Sequence, residues 1–188
     1  MTDTSHSLAC IPGRTGPHMM QAAFVVDDIA AAAALWTETT GVGPFLLVPH
    51  IKLVELNYRG EPSAPLDFSA ALAQSGGIQI ELLQQHCDTP SAYRDTIAKG
   101  TQGFHHFGIY TAEYDTARQH YLDLGHAIAV EGKFGAMRFC YIDTSAALGC
   151  MIELVEEDAG QTAFFTRVAE AARDWDGVTD PIRPGFPV

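Results

Sequence analysis

The sequence predicts an α+β fold: two tandem strand–helix–strand–strand–strand units (βαβββ twice over), then a C-terminal helix. Three observations carry this. The segment "GGIQIELLQQ", residues 76–85, is echoed by "GCMIELVEE", residues 149–157. The opening "MMQAAFVVDDIAAAAALWTETTG" is echoed by "FHHFGIYTAEYDTARQHYLDLGH". Laid together without gaps, the openings match Gln21 to His106, Val26 to Thr111 and Trp36 to Tyr121, and Gly41 and Gly125 end both helices within one residue of register. Self-similarity of this kind marks a duplicated supersecondary unit.

In chain order, residues 19–26 are apolar and strand-like. Asp27 or Asp28 can cap a helix from about Ile29 to Thr39, with Leu35 and Trp36 on its buried side. Gly41 ends that helix, and "GVGPF" is a turn because Gly and Pro break regular structure. "FLLVP", "IKLVELNYRG", "LDFSAALAQ" and "IQIELLQQ" read as short strands between Pro and Gly signals, and "SAYRDTIAKG" as a short connecting helix. The second copy follows, with "AIAVEG", "AMRFCYIDT" and "CMIELVEE" as strands. The first copy is longer, and its surplus falls around residues 49–66. In the tail, Phe164, Phe165, Val168, Ala172 and Trp175 recur at helical spacing, which predicts an amphipathic helix over 162–175, either packing on the body or covering a pocket mouth or a partner subunit. Pro181, Pro184 and Pro187 make the end extended. The expected division is an N-terminal segment 1–18, a first module 19–90, a linker helix 91–102, a second module 103–157 and a tail 158–188.

Composition narrows the function classes. Hydrophobic residues make up 47% of the chain, enough for a packed core. A formal net charge of −12 speaks against nucleic acid, whose binding needs clustered Lys and Arg. No apolar run approaches the roughly 18 residues that span a membrane, and "MTDTSHSLACIPG" lacks the basic start and apolar core of a signal peptide. Cys10, Cys87, Cys140 and Cys150 show no CxxC spacing, which points to a reducing cytoplasm.

Glu81 and Glu153 each stand inside an apolar strand, where a carboxylate is costly unless it is paired or bound to a cation. Side chains alternate along a strand, so Glu81 opposes Ile80 and Leu82, and Glu153 opposes Ile152 and Leu154. Gln21 and His106 occupy matching places in the first strands of the two copies. If the copies curl around one cleft, two carboxylates, one imidazole and one amide oxygen converge. That set suits one divalent metal, zinc first, with cobalt, nickel, manganese or iron as alternatives. His105 is expected on the face opposite His106 as a packing residue. His50 reads as a loop residue near Pro, and His86 as a strand-end residue that could approach the cleft. Tyr110, Phe45, Tyr58 and Met137 are candidate substrate contacts, and their apolar cast points to a hydrophobic substrate.

These motifs resemble the vicinal oxygen chelate superfamily, the relatives of glyoxalase and methylmalonyl-CoA epimerase. "QAAFVVDDIAAAAALW" with "GVGPF", "HHFGIYTAEYDTA" and the paired "IEL" endings carry the resemblance, over residues 19–157. It implies paired βαβββ modules forming an open, curled mixed sheet around a metal cleft, with Gln21, Glu81, His106 and Glu153 as ligands. It also implies polarisation of a chelated carbonyl and proton transfer by a ligand carboxylate, with Glu153 as the first candidate base and Glu81 the second. The glutathione contacts of glyoxalase I do not carry over: its arginine positions fall on Val25 and Gln102, and its asparagine on Gln85. The expectation is an isomerase, epimerase or lyase acting on a small, rather hydrophobic carbonyl compound, independent of glutathione, in a homodimer. A binding protein that sequesters small molecules is the alternative. An extradiol-type dioxygenase is a second alternative, disfavoured because Gln21 stands where its iron triad needs histidine.

Overall fold

The computed structural model describes residues 19–186. The first unit runs β1 (Met19–Val25), α1 (Ile29–Thr40), β2 (Phe45–Ile51), β3 (Val54–Tyr58), β4 (Glu61–Pro62), β5 (Phe68–Ser75) and β6 (Ile78–Gln85). A short α2 (Ala92–Thr96) leads to the second: β7 (Gly103–Thr111), α3 (Tyr114–Asp123), β8 (Ala127–Phe134), β9 (Met137–Asp143), α4 (Ser145–Leu148) and β10 (Met151–Glu156). The tail forms α5 (Ala159–Arg173) and β11 (Ile182–Pro184).

Local chemistry fixes α1. The Asp28 carboxylate accepts from the Ala30 and Ala31 N–H groups at 2.9 and 3.0 Å, supplying acceptors for donors that lack helical partners. Gly41 closes the helix at φ 72, a left-handed conformation that glycine adopts without steric cost. Ile29, Ala32 and Ala33 are buried and Trp36 packs beside them, a stripe at the helical period. Leu35 is 58% exposed, contrary to expectation, because that period places it outside the stripe.

The strands form one mixed sheet in the order β11–β2–β5–β6–β1–β7–β10–β9–β8–β3–β4. The two copies meet at its centre, where β1 pairs antiparallel with β7. Gln21 faces Gly108 and Ala23 faces His106, so the pairing is unchanged when the copies are exchanged. On either side, β6 runs parallel to β1 and β10 parallel to β7. The surplus of the first copy is the hairpin β3–β4, which pairs with β8 at the far end of the sheet.

That crossing fixes the curl. β2 and β3 lie near opposite ends of the sheet, yet only Lys52 and Leu53 separate them. Three Cα steps reach about 11 Å at most, so the sheet bends until its ends nearly meet. One core cluster, with Ile29, Ala32 and Leu82, packs α1 on one face, and α3 covers the same face in the second copy through Tyr114, Ala117 and Tyr121. The opposite face encloses the cavity, and α5 packs there through Phe164, Phe165 and Val168. No described helix is long and apolar enough to cross a membrane.

Candidate metal centre

Two rows of side chains cross the four central strands on the cavity face. In one, Glu81 of β6, Ala23 of β1, His106 of β7 and Met151 of β10 are successive neighbours. In the next, Gln79, Gln21, Gly108 and Glu153 are neighbours. A small residue stands between Glu81 and His106 in the first row and between Gln21 and Glu153 in the second. At Gly108 this is a steric demand, since a Cβ there would lie 2.8 Å from Gln21 Oε1. The absent side chain lets the amide lie across β7 on the side of Glu153.

His106 is fully buried. Its Nε2 lies 3.2 Å from Glu153 Oε2, without the direction of a hydrogen bond, and 3.6 Å from Glu81 Oε2, beyond hydrogen-bond length. His106 Nε2 and Glu81 Oε2 are therefore buried without partners, an arrangement that native interiors rarely tolerate without a reason. Burial, and then the charge of Glu153, push the Glu81 carboxyl well above its ordinary value. Gln21, Glu81 and Glu153 all line one cavity of about 100 Å³, and one ligand atom from each of Glu81, His106 and Glu153 lies within 4.8 Å of the others. An amide oxygen, two carboxylates and an unprotonated imidazole nitrogen fit a divalent cation, which would offset the carboxylate repulsion and satisfy the orphaned atoms.

The imidazole lone pair has a structural source. A bulge in the β1–β7 pairing leaves His105 as an extra residue between His106 and Phe104. The extra residue breaks strict alternation, and His105, expected on the opposite face, instead packs on the cavity-lining Tyr93 and Tyr141, with ring centroids 5.2 and 5.6 Å away. Its Nε2 lies 3.0 Å from the Ala92 carbonyl and its Nδ1 2.8 Å from His106 Nδ1. A carbonyl only accepts, so His105 Nε2 carries the proton. Burial, and then the neighbouring His106, pull the His105 pKa down to about 3, so the ring is neutral and its Nδ1 accepts. His106 Nδ1–H is then the donor, and in the neutral ring the Nε2 lone pair faces the two carboxylates.

The remaining cavity wall is apolar and largely aromatic, with Phe68, Tyr93, Phe139, Tyr141 and Phe165 among its residues. Of the four expected substrate contacts, Met137 lines it. Phe45 is fully buried among the residues under α1, on the other face. The Tyr58 hydroxyl donates to Asp95 at 2.6 Å, away from the lining. Tyr110 shares the His106 face, but its hydroxyl meets the Asp158 carbonyl and Thr162 Oγ1, both at 2.8 Å, and so anchors the start of α5. Sequence reasoning missed Gln79, fully buried beside Gln21 with both amide atoms unpaired. Alternation from Glu81 was the signal that would have found it. Gln161, Phe164 and Phe165 of α5 complete the wall, the pocket-side placement that was one of the readings of the tail helix, together with Phe186, which sequence reasoning missed.

Among the described residues, no Lys or Arg lines this cavity. Arg59 is paired with Asp95 and Asp143, Arg138 with Asp115 and Glu156, and Lys133 with Glu55.

The profile of the Glyoxalase/Bleomycin resistance protein/Dioxygenase superfamily matches residues 20–141. Among solved structures, the chain is similar to methylmalonyl-CoA epimerase from Mycobacterium tuberculosis, with 16% identity and a TM-score of 0.51 over 77% of this chain and 91% of that one. It is also similar to a hypothetical protein from Bacillus halodurans C-125, with 16% identity and a TM-score of 0.52 over 77% and 96% of the two chains. At such identities the likeness is one of fold. No curated protein matches the sequence.

Proposed function

The chain belongs to the Glyoxalase/Bleomycin resistance protein/Dioxygenase superfamily, and from that premise we propose that it is a metal-dependent isomerase, epimerase or lyase that moves a proton next to the carbonyl of a small, neutral, apolar substrate. The observation that carries this is the pair Glu81 and Glu153 set about the unpaired His106 Nε2 in an apolar cavity. Gln21, Glu81, His106 and Glu153 would hold the ion, zinc first, with cobalt, nickel, manganese or iron as alternatives. When bound, a divalent ion supplies Lewis-acid polarisation of the substrate carbonyl, which acidifies the adjacent C–H.

The chain's own residues supply the rest. Glu153 lines the cavity and takes the proton from carbon as general base; Glu81 is the second candidate for that role. The aromatic walls hold the apolar part of the substrate and exclude water. A cavity of about 100 Å³ whose described lining holds no Lys or Arg supports a compact neutral compound over a CoA or glutathione ester, whose anionic groups need Arg or Lys. The described cysteines Cys87, Cys140 and Cys150 are free thiols, which supports a cytoplasmic setting. A homodimer belongs to the same reading, and sedimentation tests it.

The experiment is solvent deuterium exchange into 2-oxo and 2-hydroxy carbonyl compounds, followed by proton NMR. Glu153→Gln should slow exchange by about 10²–10⁴-fold, the range of general base catalysis, with metal still bound. Undiminished exchange removes Glu153 from the role. Tight binding of apolar compounds with no exchange in the metal-loaded wild type supports the sequestering alternative instead.

A further inference from the structure

Away from the cavity lining, β2, β5 and the end of β6 bring together two imidazoles and a carboxylate that the proposed chemistry does not use. His50 Nδ1 lies 2.7 Å from Asp67 Oδ1. The His50 and His86 rings stand 4.7 Å apart between centroids. One ligand atom from each of His50, Asp67 and His86 lies within 4.8 Å of the other two.

The backbone is shaped to make this meeting. β2 is irregular against β5 between Val48 and Ile51, and there His50 adopts φ 48, a left-handed conformation uncommon outside glycine. The His50 N–H donates to Ser69 Oγ at 3.1 Å, and the same oxygen lies 2.7 Å from His86 Nε2. Ser69 is itself buried, and the His86 N–H donates to the Asp67 carbonyl at 2.8 Å. The three side chains are thus fastened to a common frame.

We propose that His50, Asp67 and His86 form a second metal site, facing solvent and separate from the cavity, that takes a divalent ion of the zinc, nickel or copper class. Two imidazoles and one carboxylate are donors of the right type for these ions. At bond lengths of 2.0–2.2 Å, ligand atoms around such an ion stand about 3–4 Å apart, within reach of small rotations of the exposed rings. Each ring keeps one nitrogen outside its present bond, Nε2 of His50 and Nδ1 of His86. Ser69 is placed to accept the other N–H of His86, the outer bond that orients a metal-bound imidazole. Lys52, whose charge reaches Asp67, is the opposing group. An ion here ties β2 to β5 and β6, whose Val48, Phe68 and Leu83 line the cavity.

The test uses the full chain, made without an affinity tag and stripped with a chelator. Zinc titration by calorimetry should give two equivalents for the wild type, one for His50→Ala/His86→Ala and one for Glu81→Gln/Glu153→Gln. Copper(II) electron spin-echo spectra separate the sites independently: the carboxylate variant should show two coupled imidazoles, and the histidine variant one, from His106. Zinc should raise Tm in the carboxylate variant and not in the quadruple variant that combines the two pairs of substitutions. If His50→Ala/His86→Ala binds zinc with the wild-type stoichiometry and affinities, the second site is overturned. If wild type binds one equivalent that this variant loses, the second site stands and the cavity reading fails.

Discussion

His105 makes the candidate centre more than a collection of ligands. It accepts from His106 Nδ1 and donates to the Ala92 carbonyl, so a backbone oxygen fixes which nitrogen of His106 faces the cavity. His105→Phe keeps an aromatic ring and removes the acceptor; metal affinity should fall about 10–100-fold, as for other outer-shell partners. His105→Asn restores an acceptor near Nδ1 and should recover part of that loss, measured by zinc competition with a chromophoric chelator. Glu81 gives a pH prediction for the metal-free protein. Its folded pKa is raised above the ordinary 4.5, so the folded state holds its proton more tightly than the unfolded state does. The contribution of Glu81 to stability is therefore greatest at and below pH 4.5 and falls as pH rises through its folded pKa. Glu81→Gln should remove that fall. At neutral pH it should raise the metal-free Tm by about 2–4 °C per kcal/mol of relief, while weakening metal binding. Scanning calorimetry across pH checks both. The four polar positions were legible because the duplication displays each twice. The face of His105 was not, because one bulged residue resets strand alternation.

At the scale of elements, the centre depends on β7 presenting no side chain beneath Gln21. Gly108→Ala places a methyl 2.8 Å from Gln21 Oε1 and about 3.0 Å from its Cβ, so the amide must move. The variant should keep its fold and lose metal affinity, while Ala23, the matching position in the other row, already tolerates its methyl. Metal titration alongside circular dichroism separates the two effects. The strand–helix order, the Asp28 cap and the Gly41 stop were readable from local chemistry. The placement of Phe45 and Tyr110 was not. Phe45 lies on the α1 face of β2, and the Tyr110 hydroxyl is taken by α5, an element outside the repeat. Strand periodicity says which residues share a face, but not what packs against it.

The whole molecule is a curled sheet whose matching halves bring Gln21 and Glu81 of one copy against His106 and Glu153 of the other. Its fold class was legible because a duplicated unit constrains its own pairing. The degree of curl was not, since it depends on β3–β4 crossing to β8. The cavity's character also belongs to this scale: residues from both modules, α5 and Phe186 meet in one apolar wall. The most direct test of the centre is anomalous diffraction at the zinc edge from crystals grown with saturating zinc. A peak bounded by Gln21, Glu81, His106 and Glu153 is expected, and it should be lost in Glu81→Gln/Glu153→Gln. Saturated crystals with no peak among those four side chains would contradict it.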